Sequence, residues 1–199
     1  MKELIKEIFR KHHDYYKSLG VETIKQQMAQ YRQVEEAYQG RFIFELLQNA
    51  IDRAEKKVYV KLLDSGTLIV ANDGEPFTFN HDFNYKDGGS DRGDFQALCS
   101  IATSTKLQSQ NIGNKGVGFK SVYSVCRYAD VHCKSLIGDN HEIVNFRLYD
   151  VFHDVDDLPS PDLAPILDKV QKENPKWGIP GYYFPQPLGD TPRHISELF

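Results

Sequence analysis

Long apolar runs are missing from this sequence. No stretch approaches the roughly 20 apolar residues that cross a bilayer, and the amino terminus, MKELIKEIFRKHHDYY, is charged where a signal peptide carries an apolar core. These absences predict a cytoplasmic protein with no membrane partner. Cysteine is scarce as well: Cys99, Cys126 and Cys133 are an odd number without a CxxC pair, which argues against a disulfide framework and a structural zinc site. They read as small buried hydrophobes. None of the 7 histidines forms HExxH or stands at metal spacing from a cysteine. Positive charge is not in excess, since 24 Lys and Arg against 28 Asp and Glu leave a net charge of -4. No basic field exists to hold a phosphate backbone, so charge does not indicate a nucleic-acid partner.

The 199 residues, 40% hydrophobic and 26% charged, suit one globular domain with an appendage. Glycine crowds into the middle, with eight of 14 between Gly66 and Gly118, and proline into the end, with eight of nine from Pro159 onward. Glycine lacks the Cβ that blocks tight turns and close backbone approach, so the middle is where a ligand is most easily cradled. The periodicity predicts a helix through about Leu19, and then a long helical pattern from Ile24 to Ala54 broken at Gly40. Val58–Leu63 and Thr67–Ala71 read as a hairpin across Asp64-Ser65-Gly66, Phe95–Ile101 as a short helix, and Ala129–Ser135 with Glu142–Leu148 as a second hairpin. The proline-rich tail reads as extended or looped apart from a short helix over Ala164–Glu173. Helices with mainly antiparallel strands predict an α+β sandwich, one helix layer on one sheet.

Three stretches carry chemistry. On a helix over Arg41–Ala54, Glu45, Asn49 and Asp52 fall within an arc of about 60°, while Ile43, Leu46, Leu47, Ala50, Ile51 and Ala54 lie opposite. Asn and Asp are poor residues for a helix interior, so their presence in line suggests a task beyond solvation. The apolar run Leu68–Ala71 ends in Asn72-Asp73-Gly74, where a carboxylate beside a glycine could accept from the exocyclic amine of a flat base. Asn-Asp-Gly is also a common turn. Finally Gly113-Asn114-Lys115-Gly116-Val117-Gly118-Phe119-Lys120 puts three glycines in six residues before a helix running to about Val125. Bare N–H groups with Lys115 and Lys120 suit an anion, though the spacing fits neither the Walker A nor the Rossmann pattern.

In this order the stretches resemble the GHKL superfamily, which includes the DNA gyrase B subunit, the ninety-kilodalton heat-shock chaperone, MutL and the sensor histidine kinases. Glu45-Leu46-Leu47-Gln48-Asn49-Ala50-Ile51-Asp52 is similar to its N-box, Asp73-Gly74 to its first glycine box, and Gly113–Gly118 to its second. Ala102-Thr103-Ser104-Thr105-Lys106 is similar to a run of the MutL branch, and Tyr38–Phe44 leads into the N-box much as in sacsin-like large ATPases.

The resemblance implies a two-layer α/β sandwich of the Bergerat type with a nucleotide lid between the glycine boxes, over Phe77–Ile112. It implies a Mg²⁺-dependent ATP-binding module that hydrolyses ATP slowly as a conformational switch. Glu45 would be the general base, Asn49 the Mg²⁺ ligand, Asp52 a support on the nucleotide side, and Asp73 the acceptor of the adenine amine with Gly74 beside it. Thr105, Lys106 and the backbone of Gly113, Asn114, Lys115, Gly116, Val117, Gly118 and Phe119 would surround the phosphates. Two departures stand out: Glu75-Pro76-Phe77 follows Asp73-Gly74 where a second glycine is usual, and Gly181–Pro185 offers tyrosine where the family places a threonine near the base. The expected organisation is a helical leader over 1–37, the ATP-binding core over 38–150 and a proline-rich extension over 151–199 that completes or flanks the core. Expected partners are the nucleotide and a second copy or downstream domains of a longer ATPase. The alternatives are a scaffold that holds ATP without turnover and a histidine-kinase catalytic domain with His12 or His13 as phosphoacceptor.

Overall fold

The computed structural model describes residues 2–78, 94–99, 118–137 and 140–197. Helix α1, Lys2–Ser18, turns Ile5, Ile8, His12 and Tyr16 inward at helical spacing and carries the exposed pairs Glu3–Lys6 and Glu7–Lys11 outside. Helix α2, Val21–Tyr38, buries Ile24, Met28 and Tyr31. Gly40 stops it: its φ of 72° lies in the left-handed region, and α3, Phe42–Arg53, restarts two residues later. The helix break read at Gly40 is therefore a conformational requirement.

Strands β1, Val58–Leu62, and β2, Leu68–Asn72, form an antiparallel hairpin with Val60 opposite Val70, closed by Gly66 at φ 82°. A separate four-stranded sheet runs in the order β3 (Phe77–Thr78), β4 (Tyr128–Ile137), β5 (Asn140–Tyr149) and β8 (Gln186–Pro187). Its pairs are antiparallel except β3 with β4. Helix α4, Asp94–Cys99, precedes a 3-10 helix over Gly118–Ser124, where an α-helix to Val125 is expected from the sequence. The hydroxyls of Ser121 and Ser124 donate to the carbonyls of Gly118 and Ser121, three residues back, at 2.6 and 2.7 Å. Such bonds support the tighter 3-10 winding.

After β5 come the short pair β6 (Val151–Phe152) and β7 (Ile179–Pro180), with helix α5 (Ala164–Glu173) between them and α6 (Arg193–Ser196) near the end. The chain is α+β, helix with mainly antiparallel sheet. Along β5, Val144, Phe146 and Leu148 are fully buried while Ile143 stays exposed, so one face of the sheet packs and the other is open. Phe95 of α4 meets Phe146 edge-on at 5.0 Å. The same hydrophobic cluster takes Ile5 and Tyr16 from α1 and Tyr182 and Phe184 from the tail, and the Tyr16–Phe184 pair between them is also edge-on. No helix among the described residues is long and apolar enough to cross a membrane.

His12 sits inside this cluster with its Nδ1 donating to the Tyr183 carbonyl. Burial lowers its pKa to about 4, with the Tyr183 bond opposing the shift. An unfolded histidine titrates near pH 6.5, so below that pH the unfolded chain binds a proton that the folded chain refuses. The contribution of His12 is complete above about pH 6.5 and is lost as pH falls toward about 4, on the order of 3 kcal/mol over that window. Urea unfolding at pH 7 and pH 5 reads the slope, which should flatten in His12→Gln. An unaltered slope in the variant would assign the acid loss to other groups.

Candidate functional site

Helix α3 packs against both β2 and the Gly118–Ser124 turn, which brings the strand that leads into Asp73-Gly74 and the Gly118–Lys120 end of the glycine stretch to one helix. Glu45 is half-buried and Asn49 and Asp52 are exposed along one line. A Cβ on Gly118 would lie 2.3 Å from Glu45 Oε2, so only glycine lets the carboxylate and the turn meet. No hydrogen bond or ion pair engages that carboxylate among the described residues. Phe119, next in the chain, is half-buried against the core. Residues 113–117, Thr105 and Lys106 lie outside the described residues, as does most of the lid interval.

The apolar side of α3 differs from expectation at its edge. Ala50 is buried and Leu46 packs on the core, but Ile51 is 63% exposed.

Asp73 closes the base of the β1–β2 hairpin. Its Oδ1 accepts from the backbone N–H groups of Glu55, Lys56 and Lys57 at 3.1, 2.9 and 2.9 Å. These bonds, with Lys56 first, hold the carboxyl below the usual range. Oδ2 makes no hydrogen bond among the described residues, so an adenine amine would have to use that oxygen. Gly74 is where β2 passes the end of α3: an added Cβ would stand 1.6 Å from the Arg53 carbonyl oxygen. Its own N–H donates to Asn72 Oδ1 at 3.0 Å. Arg53 also pairs with Asp94, tying α3 to α4.

Lys120 is not a phosphate-loop charge in this structure. Only 3% exposed, it donates from Nζ to the Leu98 carbonyl at 2.9 Å and lies 4.4 Å from the centre of the Tyr182 ring. Burial lowers its pKa to about 7. The Tyr182 side chain is accordingly a core element and not a surface contact for a base. Of the cysteines, Cys99 is buried with its thiol pushed up by burial, whereas Cys126 and Cys133 are half-buried. Sequence reasoning missed the Glu45–Gly118 contact because 73 residues separate the partners; the only signal for it was glycine itself. No family model, no curated protein and no solved structure matches the chain.

Asp73→Asn tests whether this side chain does more than anchor the hairpin. The amide oxygen can keep the three backbone donors, while the amide nitrogen puts a donor at the outer position. If Oδ2 is the acceptor of an adenine amine, as the resemblance implies, ATP affinity falls roughly tenfold or more, with GTP unaffected and the unfolding midpoint slightly lowered. Titration with both nucleotides checks it, and equal ATP and GTP behaviour would leave Asp73 a hairpin anchor only.

Proposed function

We propose that the chain is a Mg²⁺-dependent ATP-binding module of the Bergerat type that hydrolyses ATP slowly, with Glu45 as general base. The contact between Glu45 and Gly118 carries this reading, because it sets an uncommitted carboxylate at the end of a glycine-rich stretch. A site for hydrolysis needs an acceptor for the water proton and a phosphate cradle in one place. Glu45 supplies the acceptor, Gly118 and Phe119 the near edge of the cradle, and Asp73 Oδ2 the base-side acceptor beside Gly74. Asp52, one turn beyond Asn49 on the same line, steadies the nucleotide-facing side of α3.

Among the described residues no three His, Cys, Asp or Glu side chains converge to hold a metal ion. Mg²⁺ on a nucleotide keeps waters and phosphate oxygens and takes only one or two protein oxygens, so the exposed amide of Asn49 fits that need. When bound, the ion neutralises phosphate charge and fixes phosphate orientation. The half-buried position of Glu45 keeps its carboxylate oriented, and the exposed face at Asn49 leaves room for the ligand. The expected partners are a second copy or downstream domains that respond to nucleotide state, and the site sits in a cytoplasmic chain.

Calorimetry with a non-hydrolysable ATP analogue tests the reading. Saturable binding that weakens without Mg²⁺ and in Asn49→Ala is expected. Folded protein that binds no nucleotide at millimolar concentration would refute it.

A further inference from the structure

Away from α3, a cleft of about 110 Å³ opens between α2 and the chain leaving β5. Tyr31, Arg32 and Glu35 form its α2 wall, and Asp150 and Lys176 face them. Asp150 is held rigidly: Tyr31 donates to its carboxylate, its N–H donates to the Arg127 carbonyl at 3.0 Å, and its carbonyl accepts from Gly181 at 2.7 Å. Arg32 Nη2 donates to the Lys176 carbonyl at 3.1 Å, which fixes the opposite rim.

Two carboxylates, two permanent cations and the His153 imidazole thus line one small space, yet neither the carboxylates nor the two cations join an ion pair among the described residues. Burial raises the Asp150 pKa and the Glu35 charge adds to the effect, against the Tyr31 and Val151 hydrogen bonds and the nearby His153. Such a wall suits one kind of ligand. An anion would meet Asp150 and Glu35, a simple cation would meet Arg32 and Lys176, and a neutral molecule would desolvate all four without compensation. A ligand bearing both signs at its two ends answers each pair. The volume equals the share of roughly four waters, which limits the ligand to a few heavy atoms.

We propose that this cleft binds a small zwitterion of the α-amino-acid class, with its ammonium between Asp150 and Glu35 and its carboxylate between Arg32 and Lys176. The site is independent of the nucleotide reading, since none of its residues belongs to α3, β2 or the Gly118 turn.

Calorimetry of the full chain with L-serine tests it, with acetate and methylammonium as controls carrying one charge each. Saturable binding of L-serine is expected, with each control at least about tenfold weaker. Glu35→Gln and Lys176→Met alter exposed side chains outside the core, so the unfolding midpoint should hold while L-serine affinity drops about tenfold in each. Absence of saturable binding by both L-serine and glycine would overturn the proposal. Acetate or methylammonium binding as tightly as L-serine would do the same, and so would unchanged affinity in both folded variants.

Discussion

Glu45→Ala is expected to cut ATP turnover about 10²–10⁴-fold while ATP affinity stays near the wild-type value. In the proposed mechanism the carboxylate acts on the attacking water and only distantly on the bound nucleotide, so its removal falls on the transition state. The fold should tolerate the change. The carboxylate anchors nothing among the described residues, alanine is the best helix former, and the contact with Gly118 relaxes when the side chain shortens. Asn49→Ala should differ by lowering affinity and turnover together, because in the proposed mechanism the Mg²⁺ it holds contributes to both. Steady-state phosphate release with parallel calorimetry distinguishes the two variants. Wild-type hydrolysis above background but equal in Glu45→Ala would remove Glu45 from the mechanism. Tight ATP binding without any turnover would make the chain a nucleotide-holding scaffold.

The amino-terminal half is legible in the sequence because its signals are local. Ile5, Ile8, His12 and Tyr16 repeat at the helical period, Gly40 and Gly66 mark positions that need a positive φ, and the β1–β2 alternation spans one short turn. The tail is not legible in the same way. Proline spacing argues for an extended or looped segment that completes or flanks the core but does not say which side chains enter it; Ile179, Tyr182 and Phe184 are fully buried, with Lys120 over the Tyr182 ring. Their burial depends on β5 and α1, which lie far away in the chain, and a proline-rich segment can pack its aromatics without forming a long element. The run Tyr182-Tyr183-Phe184 was the available hint. His12 follows the same logic, since its acceptor, the Tyr183 carbonyl, is 171 residues away, and its burial leaves no exposed ring to accept a phosphoryl group. At the site, residue types and order are readable, whereas contacts are not. That Asp73 Oδ1 is already taken by three backbone donors, and that Lys120 turns inward, follow from where the chain ends of α3 and α4 come to rest.

The two glycines that touch α3 should separate catalysis from folding under the same substitution. In Gly118→Ala the new methyl group meets Glu45 Oε2 at 2.3 Å and Cδ at 3.2 Å, the far end of a flexible side chain that can swing away. The fold survives, but the carboxylate leaves its position, and a displacement of about 1 Å at a catalytic group can cost about 10²-fold in rate. In Gly74→Ala the methyl group meets the Arg53 carbonyl oxygen at 1.6 Å and its carbon at 2.6 Å. Backbone must move there, and Arg53 leads directly into the 55–57 segment whose N–H groups Asp73 holds. Losing that junction is expected to cost roughly 4 kcal/mol or more, in the class of severe single-site effects. Urea unfolding and phosphate release on both variants read the contrast: near-wild-type stability with slow turnover for Gly118→Ala, and a collapsed midpoint for Gly74→Ala. Full turnover in a folded Gly118→Ala protein would mean that the Glu45 position adjoining this turn has no part in the chemistry.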